Sequence, residues 1–229
     1  EHKIMAITIK SEREIELMAE AGKILERVHN ELEKALRPGM STKDIDTLGE
    51  EIIRSYGCIP SFLNYNGYPA SICVSVNQEV VHGIPDKHRI IQEGDIVSLD
   101  AGVIYKGYHS DAARTHAVGE VSEEAKKLIQ VTKESFFEGI KFAKAGNHLF
   151  DISGAIGRYA EERGYGVVRD LCGHGIGTAL HEAPEIPNYE VGRKGVRLRP
   201  GMTLAIEPMI NMGRPDIFVD DSNGWTIYT

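Results

Sequence analysis

Shifted by 107 positions, the first half of the chain falls on the second. Gly39 lands on Gly146, Asp44-Ile45 on Asp151-Ile152, Gly57 on Gly164, Gly94 on Gly201, and Asp100 on Glu207. The offset holds without slippage across a helix, a second helix and a strand, so both halves follow one local plan. Two similar α+β halves are expected, packed about a pseudo-two-fold with their sheets meeting in one core. Acids on corresponding strands then converge at the shared axis.

Within that frame, residues 11–36 read as a helix. Ser11 and Glu14 form a capping box. Met18, Leu25, Val28, Leu32 and Leu36 recur at helical spacing, and Arg37-Pro38-Gly39 stops the helix. A second helix over about 43–55 carries Ile45, Leu48 and Ile52 on one face and ends near Gly57. Residues 71–82 read as strand. "GDIVSLDAGV" and "SDAARTHAV" form the arms of a hairpin around Lys106-Gly107. Helices follow at 122–144, with Leu128, Phe136 and Ile140, and at about 150–163, and then a strand at 201–210. Residues 1–10 read as an N-terminal extension with a first strand, Glu1 to Ile4 being a remnant ahead of a Met5-Ala6 start. Residues 11–229 read as one domain of two pseudo-repeats, about 11–117 and 118–229.

The formal net charge of −8 disfavours a chain that wraps nucleic acid, which needs a basic face. Cys58, Cys73 and Cys172 are an odd count without tight spacing, so neither a disulfide framework nor a zinc knuckle is expected. A reducing cytoplasm fits that usage. "EHKIMAITIK" has no apolar h-region, and no run approaches the ~18 apolar residues of a membrane span. No signal peptide or membrane helix is expected.

Strands are poor places for aspartate, yet each hairpin arm carries one, Asp100 and Asp111. With the turn centred on Tyr105-Lys106, the two face each other directly, with Cβ atoms about 4.5–5.5 Å apart. Carboxylates that close repel, and a pair of divalent ions held about 3.5–4 Å apart relieves them. Ser98, Ala101, Gly102, Ala112 and Ala113 are small and leave room. The plain alternative is acids flanking a solvated turn. Glu207, inside the apolar stretch "LAIEPMI", poses the same buried-charge problem, with an arginine partner as its plain alternative. His174 sits among three glycines in "CGHGIGTALHEAP". It, His82 and His181 are each either ligands or ordinary structural histidines.

Asp, Asp, Glu and His together make a mostly oxygen site suited to Mn²⁺, Fe²⁺, Co²⁺ or Zn²⁺ in a dinuclear cluster. Such a cluster activates water and stabilises an oxyanion, so metal-assisted hydrolysis is the expected chemistry. No G-x-S-x-G elbow and no G-x-x-x-x-G-K-[ST] loop occurs.

The stretches "NYNGYPASICVSVNQEVVHGIP", "GDIVSLDAGVIYKGYHSDAARTHAVG", "CGHGIGTALHEAP", "LAIEPMI" and "NGWTIYT" together resemble type I methionine aminopeptidases of the bacterial kind. The resemblance runs from about Ile7 to Thr229. It implies the pita-bread (creatinase/aminopeptidase) fold, an α+β arrangement with a central antiparallel-rich sheet covered by helices. It implies two divalent ions held by Asp100, Asp111, His174 and Glu207. Asp100 resembles the bidentate ligand, Asp111 the bridging one and His174 the lone imidazole. Glu207 resembles the ligand that also takes the proton of the attacking water. His82 resembles the residue that assists the leaving amine, and His181 the one that binds the scissile carbonyl.

Tyr65, Tyr68, Cys73 and Trp225, completed by Phe62 and Leu180, correspond to the methionine pocket, where soft aromatic walls suit a thioether. For Cys73 and Leu180 plain core is the competing reading. The resemblance also implies a fifth carboxylate, a glutamate in an E-H-T stretch, and its place falls beyond Thr229. The implied activity is removal of the initiator methionine from nascent chains when the next residue is small. The chain is then expected to be a cytoplasmic monomer, touching the ribosome transiently and reading no nucleic-acid sequence. Rival expectations are a proline-specific aminopeptidase or dipeptidase of the same fold, and a non-catalytic pita-bread binding module.

Overall fold

The structure is a computed structural model that describes residues 6–229. The expected remnant, Glu1 to Ile4, lies outside the described residues. In chain order the elements are α1 (Glu12–Ala35), α2 (Thr42–Ser55), β1 (Ile59–Pro60), β2 (Ile72–Val76), β3 (Glu79–Val81), β4 (Ile96–Tyr105), β5 (Tyr108–Ala117), α3 (Glu123–Ile140) and α4 (Leu149–Glu161). Short strands follow: β6 (Gly166–Val167), β7 (Gly173–Gly175), β8 (Glu182–Ile186), β9 (Leu204–Ala205), β10 (Ile210–Asn211), β11 (Phe218–Val219) and β12 (Ile227–Tyr228).

Four expectations about where elements run need correction. The strand at 71–82 is two strands, broken where Asn77 takes a φ of 55°. The strand at 201–210 is two short pieces, and Pro208, which cannot donate to a ladder, lies in the gap with Glu207. The third helix ends at Ile140 rather than 144. Residues 6–10 form no strand; there Lys10 donates its backbone N–H to Gly201 O at 2.8 Å.

The chain divides into two compact units, Glu16–Lys127 with Ile217–Thr229, and residues 6–15 with Leu128–Asp216. In the first unit an antiparallel sheet is centred on β4, which pairs with β1, β2 and β5. Successive side chains of a strand point to opposite faces. Val97, Leu99, Ala101 and Val103 of β4 enter the core with Leu25, Val28 and Leu32 of α1 and Ile45 and Ile53 of α2. Ser98, Asp100 and Gly102 take the other face, so Asp100 avoids the helix-covered core. β3 joins a second sheet in the order β11-β12-β3.

The hairpin register differs from expectation. Tyr105 pairs with Tyr108, which makes Lys106-Gly107 the two-residue turn, with φ of 46° and 86°. Positive φ at both positions is what a type I′ hairpin turn requires. Asp100 therefore faces Ala113, and Asp111 faces Gly102. The two residues share a face as diagonal neighbours, with about 7–8 Å between their backbones, rather than standing directly opposite.

In the second unit β7 is flanked by β8 and β9, and β10 pairs with β6. Leu149, Ile152 and Ile156 of α4 pack with Ile186 and Leu198. The 107-residue plan reappears as hydrogen bonds. Gly39 N–H donates to Ile91 O, and Gly146 N–H to Leu198 O; Ile91 N–H donates to Met40 O, and Leu198 N–H to Asn147 O. Gly39 and Gly146 both have φ of 93°, a conformation that costs glycine little. Asp44 accepts from Ser41 N–H, and Asp151 from His148 N–H, each at 2.8 Å. Each unit thus opens its second helix with the same cap.

Two buried polar side chains tie the first unit together. Asp46 of α2, 1% exposed, accepts from Ser71 N–H at 2.8 Å and from Ile72 N–H at 2.9 Å. His29 of α1 is fully buried, and its Nε2 lies 2.7 Å from Ala112 O of β5. Burial, eased by the Ala112 carbonyl, lowers its pKa to about 4.

Asp46→Ala strands two buried N–H groups at about 1–3 kcal/mol each. Urea unfolding is expected to show a loss of at least ~2 kcal/mol, and a loss under ~0.5 kcal/mol contradicts the tie. His29 is neutral when folded and titrates near 6.5 when unfolded. Its contribution is full above pH 6.5 and is lost as pH falls toward 4, costing about 2 kcal/mol by pH 5. His29→Gln should flatten the stability profile between pH 7 and 5, and an unchanged slope rules His29 out as the titrating group.

Candidate active site

The first unit supplies two carboxylates, one histidine and a set of soft walls. Asp100 lies mid-strand, with Cys73 of β2 opposite it on one side and Ala113 of β5 on the other. Cys73 is 4% exposed, and burial followed by the Asp100 charge pushes its thiol well above its ordinary range. It is a neutral, soft wall rather than a nucleophile. Burial also raises the Tyr68 hydroxyl, whose oxygen lies 3.1 Å from Ile72 O and 3.2 Å from Gly83 O. The Tyr68 ring meets Trp225 edge-on, with centroids 5.2 Å apart. Phe62 is buried, and its carbonyl accepts from Tyr65 N–H at 3.0 Å. Tyr65, Tyr68, Cys73, Phe62 and Trp225 thus all belong to this unit.

His82 follows β3 with a φ of 59°, a left-handed conformation that non-glycine residues seldom adopt. Its carbonyl lies 3.4 Å from Thr226 Oγ1, on the loop beside Trp225. Burial lowers the imidazole pKa, and the Asp111 charge opposes the shift. His82 is therefore neutral at pH 7 and able to accept a proton.

The second unit supplies His174, His181, Leu180 and Glu207. Gly173 and Gly175 bracket His174 because a Cβ on either would lie 2.3 Å from Ala205 O or 2.1 Å from Ala183 O. His174 Nδ1 lies 2.8 Å from Gly175 O, which assigns its proton to that nitrogen. Nε2 then faces Glu207 Oε1 at 2.8 Å. Two ligands on adjacent octahedral positions, each about 2.1 Å from one ion, stand roughly 3 Å apart. The pair fits a divalent metal, and the Nδ1–carbonyl bond is the usual outer support of a ligating histidine. The exposed His181 ring lies 4.2 Å from that of His174, and Leu180 beside it is 2% exposed.

Sequence reasoning missed Asn188, which is fully buried and donates its Nδ2–H to Glu207 O at 2.9 Å. It fixes the backbone that carries Glu207. Nothing in "EIPNYE" distinguishes it from an ordinary loop asparagine.

The sequence pattern described as "Metallopeptidase family M24" matches residues 16–227. The methionine aminopeptidase of Clostridium acetobutylicum is 56% identical over 223 residues, covering 97% of this chain and 89% of the relative. The crystal structure of the Thermotoga maritima methionine aminopeptidase matches with a TM-score of 0.95 at 46% identity, covering 98% of this chain and 90% of that one. The Rickettsia prowazekii methionine aminopeptidase matches with the same TM-score at 40% identity and the same coverage. This likeness fits the expected pita-bread fold, with its helices and antiparallel sheets. The chain belongs to metallopeptidase family M24.

Proposed function

We propose that this chain removes the initiator methionine from the N-termini of nascent proteins whose second residue is small. What carries the reading is the 56% identity over 97% of the chain to a methionine aminopeptidase. Relatives at 38–56% identity bear that name. The proline-specific and non-catalytic alternatives are not favoured.

His174, Glu207 and Asp111 are the proposed ligands of a divalent ion, with Asp100 completing the set on the same face of the hairpin as Asp111. Two ions of the Mn²⁺, Co²⁺, Fe²⁺ or Zn²⁺ class suit three carboxylates and one imidazole. When bound, such ions polarise a peptide carbonyl and lower the pKa of water.

The chain's own groups do the rest. Glu207 takes the proton of the attacking water on a carboxylate oxygen. The neutral imidazole of His82 orients the substrate and assists the departing amine. His181 donates to the carbonyl oxygen as negative charge develops there. Tyr68, Cys73 and Trp225, with Tyr65, Phe62 and Leu180, hold the methionine side chain; a thioether prefers such polarizable, uncharged walls.

No helix among the described residues is long and apolar enough to cross a membrane. A nascent-chain substrate supports reading the chain as cytoplasmic and in transient contact with the ribosome, and we read it as a monomer. Its thiols at Cys58, Cys73 and Cys172 are free, as that compartment requires.

The purified chain is expected to release methionine from Met-Ala-Ser, to lose that activity on chelation and to regain it with Mn²⁺ or Co²⁺. Release that survives thorough chelation contradicts the metal mechanism. Asp111→Asn and His174→Ala should each lower kcat/KM at least ~100-fold while the melting temperature of the chelated protein moves little. His82→Ala should lower kcat by about 100-fold with metal content intact. Stoichiometric metal loss in that variant makes His82 a ligand instead.

A further inference from the structure

The second unit contains a buried ion pair that the mechanism above does not use. Lys10 Nζ lies 2.5 Å from Glu182 Oε2, with side chains only 5% and 13% exposed. Thr8 Oγ1 donates to the same oxygen at 2.8 Å. The other oxygen, Oε1, accepts from Ala179 N–H at 3.4 Å, so the carboxylate reaches back into the loop preceding it. Gly177 N–H closes the same loop by donating to Ala179 O at 3.0 Å. A Cβ on Gly177 would stand 2.5 Å from Glu182 Oε1 and 2.6 Å from Lys10 Cε, so the loop lies directly on the pair. Burial alone would raise the Glu182 pKa, but Lys10, Thr8 and the Ala179 N–H hold it below the ordinary carboxylate range.

That loop carries Leu180 and His181. Residues 8–10 are themselves pinned, because Lys10 N–H donates to Gly201 O at 2.8 Å. A Cβ on Gly201 would meet Ile9 Cγ2 at 2.7 Å and Lys10 O at 2.8 Å. The contact is specific and buried, and it ends one residue from His181.

We propose that Lys10, through Glu182, is a positioning residue for His181 and Leu180. It holds the 177–181 loop so that the exposed imidazole meets the substrate carbonyl at a fixed angle. The inference rests on the assignment of His181 to that carbonyl. A group needed only as charge develops lowers kcat and kcat/KM together when misplaced and leaves KM near its parent value. An anchor of purely structural value changes only the melting temperature.

The test uses the full chain with restored metal, assayed on Met-Ala-Ser well below every melting temperature. Lys10→Met keeps the stem that packs on Gly177 and removes the charge. It is expected to lower kcat about tenfold, with KM within twofold and metal content unchanged, and Lys10→Arg is expected to recover most of the loss. If Lys10→Met does not fold, Thr8→Val, which removes one donor to Glu182, is expected to lower kcat about threefold in the same pattern. A folded Lys10→Met or Thr8→Val with the parent kcat overturns the positioning role. So does a loss confined to KM or metal content. A parent that releases no methionine overturns the peptidase reading and this inference with it.

Discussion

A buried carboxylate, imidazole or amide must find a partner, because leaving it without one costs as much as a sizeable part of a domain's net stability. In this chain most of the partners are backbone groups beside the proposed site residues, and one carboxylate is held by side chains. Asp46 holds Ser71 and Ile72 N–H, just before Cys73. His29 holds the Ala112 carbonyl, next to Asp111. Asn188 holds the carbonyl of Glu207 itself. Lys10 and Thr8 hold Glu182, next to His181. The apolar cores set the elements, and these polar ties fix the backbone beside the proposed site residues.

The period-two geometry of β4 explains how the fold tolerates carboxylates in strands. Odd positions from Val97 to Val103 enter the core, and even positions, including Asp100, leave it. A one-residue slip would bury Asp100 among the helices. The Lys106-Gly107 turn guards against that slip, since its two positive-φ residues admit one register. Turn chemistry at one end of a hairpin with ten-residue arms therefore governs which face carries Asp100 and Asp111 along it.

Much of this was legible in the sequence, for identifiable reasons. The helices showed themselves because their apolar residues recur at the helical period, as Leu25, Val28 and Leu32 do. The duplicated plan showed itself through glycines and caps, which are local demands on backbone. The acids and His174 stood out as polar groups in settings where polar groups are costly. The register failed because centring the turn on Tyr105-Lys106 ignored which pair can take positive φ at both positions. The break at Asn77 failed because a strand interruption of two residues leaves the apolar pattern intact. The polar ties were hidden for a different reason: Lys10 and Glu182 are 172 residues apart, and His29 and Ala112 are 83 apart. His29 alone left a trace, a histidine on the apolar stripe of α1 between Val28 and Leu32.

The repeat also shows how one plan yields two kinds of carboxylate. Both units have the same helix caps and the same glycine-led bonds. In the first, Asp100 sits inside a strand of ten residues, where the ladder on both sides fixes it. In the second, the matching Glu207 falls just after a strand of two residues, with a proline following it, so the ladder cannot fix it. The longer glutamate side chain crosses to His174, and Asn188 supplies the backbone bond that a ladder partner would have made. Asp at one position and Glu at its counterpart thus go with different backbone supports, a ladder on both sides of Asp100 and the Asn188 amide at Glu207.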